Sequence, residues 1–111
     1  MRRSWVEVDL DALAQNISAL REAVGGRTEI MFVVKADAYG HGAVPLAERA
    51  VACGVKWLTV AYVHEALELR RTLPKPEILV MGAAEAADVP DLLEHRITPI
   101  VVSEEHARLL G

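Results

Sequence analysis

The sequence predicts an α/β fold in which parallel strands alternate with helices. Four short apolar runs recur at similar spacing, and each is followed by a stretch with helical periodicity. The runs are rich in β-branched or bulky residues and do not alternate with polar ones, which is typical of strands buried on both faces of a parallel sheet. Right-handed βαβ units place their helices outside such a sheet. Four units therefore predict about half of a (β/α)8 barrel of the TIM type.

The predicted strands cover residues 30–34, 57–61, 78–81 and 97–102. A complete barrel of this type needs about 250 residues, and the chain has 111. One sheet edge and the inner face of the half-barrel would then lack a partner within these residues. We expect either that the sequence is part of a longer enzyme or that the half-barrel associates with a second molecule, and we favour the first.

One extra strand and one helix precede the first βα unit. Residues 5–10 alternate apolar and charged side chains, which is typical of a strand with one solvent-exposed face. Asp9 or Asp11 then caps a helix that ends at the glycine pair 25–26. The apolar stripe of this helix consists of Leu13, Ile17, Leu20 and Val24.

A helix follows each of the four predicted strands. The first begins near Val44 and is stopped by Gly54, and the second ends before Pro74. Asp88 caps the third, which directs Leu92 and Leu93 inward, and Ser103 caps the fourth. These signals place no domain boundary within residues 1–111.

Composition excludes several classes of partner. The net charge is −4 and no block of basic residues is present, so neither nucleic acid nor an anionic membrane is expected to bind. No run approaches the roughly 20 apolar residues that span a bilayer. The single cysteine excludes an internal disulfide and, without a second thiol, indicates neither a zinc site nor a redox pair. A cytoplasmic location fits these features.

The chain has only three lysines, and one of them, Lys35, ends the first apolar strand. A partly desolvated lysine has a lowered pKa, and its neutral amine attacks aldehydes. Active sites of βα barrels lie at the carboxyl ends of the strands, where Lys35 is expected. An ordinary lysine with its stem on the core and its charge in water explains the position as well. Tyr39 alone is likewise compatible with a packing aromatic.

The run VVKADAYGHG at residues 33–42 closely resembles the segment through which alanine racemases attach their cofactor. Three further segments resemble the same family in the same order: residues 8–13, 60–70 and 78–82. The resemblance therefore covers essentially the whole chain, but only about the amino-terminal third of a family member.

The resemblance implies a fold-type III pyridoxal-phosphate enzyme that interconverts L- and D-alanine and supplies D-alanine for peptidoglycan. It implies that Lys35 holds the cofactor covalently and acts as acid and base on one face of the substrate. Tyr39 is expected to donate a hydrogen bond to the cofactor phosphate. Residues 1–111 would be the amino-terminal part of the barrel domain, and the strand within residues 1–10 would pair with a β-rich second domain that lies outside this sequence.

Racemisation needs two acid/base groups, because a proton leaves one face of Cα and another arrives on the opposite face. Lys35 supplies one face. In the family the second group is a tyrosine from the carboxyl-terminal domain of the partner subunit, which implies a homodimer. The family's phosphate-binding loops also lie beyond residue 111, so the isolated chain is expected to be inactive.

Strand parity adds two candidate contacts to the pyridine ring of the cofactor. Side chains two residues apart share a face, so Val33 points inward with Lys35, and Met81 ends the neighbouring inward layer. Ordinary filling of the barrel interior explains both positions as well.

Other polar residues are expected to be structural or solvated. His64, His95 and His106 fall on predicted helices as surface residues without metal-ligand spacing, and no metal site is predicted. A solvated helix face is expected for four charged residues: Glu65, Glu68, Arg70 and Arg71.

Three other functions stay open at the level of sequence. The first is a broad-specificity amino-acid racemase, since this sequence does not identify the residues that determine substrate size. The second is a non-catalytic pyridoxal-phosphate carrier, and the third is a structural module in which Lys35 is inert.

Overall fold

The computed structural model describes residues 9–34 and 42–111. These residues form a parallel sheet of four strands in the order β1-β2-β3-β4. The strands are β1 (Met31–Val33), β2 (Trp57–Val60), β3 (Glu77–Val80) and β4 (Ile97–Pro99). The predicted α/β class and the four predicted strands are confirmed, with strand ends that differ by at most three residues.

The helices are α1 (Leu10–Val24), α2 (Ala43–Ala52), α3 (Val63–Thr72), α4 (Val89–Glu94) and α5 (Glu104–Leu110). A 3-10 turn at Ala86–Asp88 precedes α4. Helices α2 to α5 each follow one strand, as the sequence predicts. Within the described ranges, every helix is too short or too polar to cross a membrane.

Helix α1 begins at the first of its two candidate caps. The carboxylate of Asp9 accepts hydrogen bonds from the backbone N–H groups of Asp11 and Ala12, at 3.0 and 3.1 Å. The predicted strand at residues 5–10 falls mostly outside the described residues. Its last residue was placed wrongly, because Leu10 is the first residue of α1.

The core lies between the sheet and the helices. Alternate strand residues face this layer, and the helices cover them with small and branched side chains such as Ala47, Ala66 and Leu69. Burying each large aliphatic side chain contributes about 1.5–3 kcal/mol to folding. The central strands supply four side chains that are at most 1 % exposed: Leu58, Val60, Ile78 and Val80.

The opposite face of the sheet is only partly covered. Val33 pairs with Thr59, and Leu79 pairs with both Thr59 and Thr98, so these four residues form one row across the sheet. Val33, Leu79 and Thr98 are half-buried, and Met31 on the same face is 44 % exposed. Since the inner face of a βα barrel is normally filled by layers of side chains, this open face agrees with a partial barrel.

Three side chains predicted to face inward are exposed. Leu20 and Val24 of α1 are 52 % and 43 % exposed, because this helix packs its middle turns on α2 through Ile17 and leaves its last turn outside. Leu93 is 76 % exposed. Helix α4 has only six residues, and neighbours on a helix point about 100° apart, so Leu92 reaches the core and Leu93 cannot.

Arg70 was predicted to lie on a solvated face of α3, and this prediction is wrong. Its guanidinium donates hydrogen bonds of 2.7–3.3 Å to five backbone carbonyl oxygens that precede β3 and β4, those of Leu73, Pro74, Pro76, His95 and Arg96. Burial, followed by the nearby charge of Arg96, lowers the pKa of Arg70 from its usual value. Arg70 thereby ties the end of α3 to the starts of two strands.

We expect Arg70→Lys to destabilise the protein by about 1.5–3 kcal/mol, because an ammonium cannot reproduce a planar fork of donors to several carbonyls. Urea unfolding followed by circular dichroism measures this loss. The matched control is Arg71→Lys at the neighbouring exposed position, which should change stability by less than about 0.5 kcal/mol. Equal effects of the two substitutions would contradict the structural role of Arg70.

Candidate active site

The described part of β1 ends directly before the segment singled out by sequence. The backbone N–H of Val34 donates to the carbonyl of Thr59 at 2.8 Å, one residue beyond the end of β1. Strand pairing therefore reaches the residue that precedes Lys35. Lys35 and Tyr39 themselves fall in residues 35–41, outside the described residues, so their roles stay predictions.

The structure brings Val33 and Met81 to the carboxyl edge of the sheet. The N–H of Met81 donates to the carbonyl of Val60 at 2.8 Å, which extends the pairing of β3 by one residue. By strand alternation Met81 follows Leu79 on the inner face, the face that Val33 also occupies. Both side chains are half-buried. Their contact with a cofactor stays a prediction.

The loops after β2 and β3 touch at this edge. The N–H of Gly82 donates to the carbonyl of Ala61 at 2.9 Å. A Cβ atom at Gly82 would lie 2.4 Å from that same oxygen, a distance that no side chain tolerates. The absence of a side chain at Gly82 therefore permits the close approach of the two loops.

Glu65 organises the turn between β2 and α3, contrary to its predicted place on a solvated face. One carboxylate oxygen, Oε1, accepts hydrogen bonds from the N–H groups of Ala61 and Tyr62, both at 2.9 Å. A glutamate at the third position of a helix that reaches back to the preceding backbone is a capping arrangement. A capping box is recognised in sequence by Ser or Thr at the cap position, and Tyr62 stands there, so the sequence carried no clear signal of this role.

His106 was predicted to lie on the surface and is instead only 8 % exposed. Its Nδ1 atom accepts a hydrogen bond from the N–H of Val102 at 3.2 Å. Its Nε2 atom lies 2.8 Å from the carbonyl oxygen of Ala84. Because Nδ1 is the acceptor, we assign the ring proton to Nε2, which donates to Ala84. His106 thus joins the loops after β3 and β4.

A groove of about 510 Å³ lies beside the same edge, between the start of α3 and the loop after β3. The rings of Tyr62 and His64 stack along it with centroids 5.6 Å apart and planes 8° apart. Its wall includes Leu67, Glu85 and Asp88 but neither Val33 nor Met81. The groove is therefore distinct from the inner-face position predicted for the cofactor.

Thr59 places a buried hydroxyl on the inner face. The residue is 1 % exposed, and within the described ranges its Oγ1 atom has no hydrogen-bond partner. A buried polar group without a partner costs about 1–3 kcal/mol. The sequence could not indicate this, since an inward threonine and an outward one look the same in a strand that lacks alternation.

A parallel sheet with outer helices, an open inner face and linked loops at its carboxyl edge defines a barrel-type α/β protein with its candidate site at that edge. Residues 8–111 match the family model described as alanine racemase, N-terminal domain. The chain belongs to this family, which confirms the resemblance found in the sequence.

Similar proteins are described as members of the same family. The alanine racemase of Synechocystis sp. is 41 % identical over 111 residues, covering 99 % of this chain and 30 % of the relative. That of Desulforamulus reducens is 46 % identical over 107 residues, covering 96 % of this chain and 29 % of the relative. The chain thus spans about 30 % of the length of the relatives it matches.

Solved structures share the fold. The crystal structure of alanine racemase from Bacillus anthracis with bound L-Ala-P superposes with a TM-score of 0.89 at 39 % identity, over 97 % of this chain and 28 % of that one. Alanine racemase of Clostridium difficile 630 gives a TM-score of 0.90 at 35 % identity, over 96 % and 28 %. A histidine racemase from Leuconostoc mesenteroides, 23 % identical with a TM-score of 0.80, shares the fold alone.

We expect Gly82→Ala to destabilise the protein by about 1–3 kcal/mol and to displace the loop after β3, because the new methyl group would meet the carbonyl of Ala61. Thermal unfolding and amide hydrogen exchange of residues 81–85 measure the two effects. Gly26→Ala is the matched control, since a Cβ there meets nothing within 4 Å. The close contact would be unimportant if both glycine variants behaved alike.

We expect Thr59→Val to leave the free energy of unfolding unchanged or to raise it by up to about 1 kcal/mol, because it replaces an unpaired hydroxyl by a methyl group of similar volume. Denaturant unfolding measures the change. Thr98→Val, in the same row on β4, is the comparison at a half-buried position. A loss above about 1 kcal/mol in Thr59→Val alone would show that the hydroxyl has a partner.

Proposed function

We propose that this chain is the amino-terminal part of a pyridoxal-phosphate-dependent alanine racemase that supplies D-alanine for peptidoglycan. The observation that carries the proposal is the family match over residues 8–111, which includes the segment with Lys35 and Tyr39. The relatives and the solved structures that cover nearly the whole chain support alanine as the substrate.

The described residues suit pyridoxal phosphate at the carboxyl edge. Pairing of β1 with β2 continues to Val34, the residue that precedes the proposed attachment point. Val33 and Met81 offer half-buried apolar side chains on the inner face, which is the kind of surface that lines a ring-binding site. The bare backbone at Gly82 keeps the loop after β3 close to the loop after β2.

Four residues are proposed to hold the cofactor. The amine of Lys35 attaches it covalently, and the hydroxyl of Tyr39 donates a hydrogen bond to its phosphate. Val33 and Met81 pack on the pyridine ring and exclude water from it. When bound, the cofactor withdraws electrons from Cα of the substrate and so makes the α-proton more acidic.

Lys35 is also proposed to move a proton at Cα. Its amine removes the proton from one face or delivers it there, according to the direction of the reaction. The opposite face needs a second group, which we propose comes from the partner subunit of a homodimer. Without that group and without the remaining phosphate contacts, the isolated 111 residues would not turn over alanine. A cytoplasmic location is part of the same proposal.

The alternatives differ in substrate or in catalysis. A histidine racemase shares this fold, so the fold alone does not select the amino acid, and a broad-specificity racemase is the nearest competitor. A pyridoxal-phosphate carrier would keep Lys35 but exchange no α-proton. In a purely structural module Lys35 would bind nothing.

We expect Lys35→Ala in the full-length protein to abolish the visible absorbance of bound cofactor and to lower racemisation by at least about a hundredfold, because it removes both the attachment point and one proton-transfer group. The measurements are an absorption spectrum and a chiral assay of alanine. The control is Lys56→Ala, at a lysine whose side chain is 75 % exposed, which should leave both unchanged. Absence of this absorbance from the unsubstituted full-length protein would support the structural-module alternative, and normal absorbance in Lys35→Ala would refute attachment through Lys35.

Incubation of the full-length holoprotein in deuterated water separates the remaining alternatives. With L-alanine, a racemase incorporates deuterium at Cα and forms D-alanine, whereas a carrier does neither. The same assay over a panel of amino acids distinguishes an alanine racemase from a broad-specificity one. Bound cofactor without either product from alanine would refute the proposed function.

A further inference from the structure

We propose that His106 is a positioning residue of the proposed active site. Its imidazole holds the β3 loop (residues 81–85) against the β4 loop (residues 100–103). The β3 loop begins with Met81, which we place on the cofactor ring. The inference rests on the proposed function for the statement that the β3 loop borders the cofactor. The link between the two loops rests on contacts within the structure.

Both ring nitrogens of His106 are used. Nε2 donates to the carbonyl of Ala84 at 2.8 Å, and Nδ1 accepts from the N–H of Val102 at 3.2 Å. The backbone N–H of His106 donates to the side-chain oxygen of Ser103 at 3.0 Å, which fixes the start of α5. The imidazole therefore has a defined orientation, with one loop bonded at each end of the ring.

The neutral imidazole suits this place for a chemical reason. It presents one acceptor and one donor at opposite edges of a rigid ring. A glutamine in its place can present a donor near the position of Nε2, but its acceptor does not coincide with Nδ1. A phenylalanine fills the volume and offers neither group.

The β3 loop has a second anchor at Gly82, whose N–H donates to the carbonyl of Ala61. Ala84, where His106 binds, is 3 % exposed. The loop is therefore held at Gly82, directly after Met81, and at Ala84, three residues after it. Releasing Ala84 frees the chain beyond Gly82 and leaves the hydrogen bonds of Met81 and Gly82 as the remaining restraints. We infer that the Met81 side chain is then held less firmly on the inner face.

The test compares His106→Phe and His106→Gln in the full-length protein. We expect His106→Phe to raise amide exchange in both loops about fivefold or more, since each lost hydrogen bond is worth about that factor. His106→Gln should restore protection in the β3 loop and leave the β4 loop fast. Cofactor affinity should fall about threefold to tenfold in the phenylalanine variant and recover in the glutamine variant.

The matched control is His95→Phe, at a histidine whose side chain is 41 % exposed; it should change neither exchange in the two loops nor cofactor affinity. Unchanged exchange of residues 81–85 in His106→Phe would overturn the proposal. So would a uniform rise over the whole domain with unchanged cofactor affinity, which indicates a general loss of stability. If His106→Phe does not fold, the difference between the two loops in His106→Gln decides the question.

Exchange is measured on protein without cofactor as well as with it. A protein that fails to racemise alanine but shows the expected pattern of exchange would refute the proposed function and leave the link between the loops intact. A protein that racemises alanine but shows normal exchange in His106→Phe would support the proposed function and refute the link between the loops.

Discussion

Parallel pairing of the four strands is the constraint on which the rest of the structure depends. It brings every carboxyl end to one edge, so segments far apart in sequence meet there. It also separates the two faces of the sheet. The helices cover one face with aliphatic side chains, and the other is left with the half-buried row that contains Val33 and Leu79.

The two edges of the sheet are organised by different side chains. At the amino edge, Arg70 binds the backbone that leads into β3 and β4. At the carboxyl edge, Glu65 holds the turn after β2, and His106 joins the loops after β3 and β4. In βα barrels the amino face serves stability and the carboxyl face serves function. Glu65 and His106 therefore each fix loops at the carboxyl edge through hydrogen bonds made within this chain.

The sequence predicted the order of elements and most helix ends because these depend on neighbouring residues. Asp9 and Ser103 cap their helices as expected, and the apolar runs became the strands. The motif around Lys35 also identified the family before any geometry was known. Predictions about which helical residues face the core were less accurate. Leu93 lies outside because adjacent side chains of α4 point about 100° apart and Leu92 occupies the side that faces the core.

By itself the sequence determined the fold class and the family and singled out the candidate lysine, since each of these depends on local patterns and motifs. Only the tertiary structure decided which polar side chains bind backbone groups that are distant in sequence. Arg70 and His106 resemble ordinary surface residues of helices, and their partners lie as far as 22 to 26 positions away in the chain. A hydrogen bond over such a separation exists only after the sheet has formed, because strand pairing alone brings those carbonyl groups within reach of the side chains.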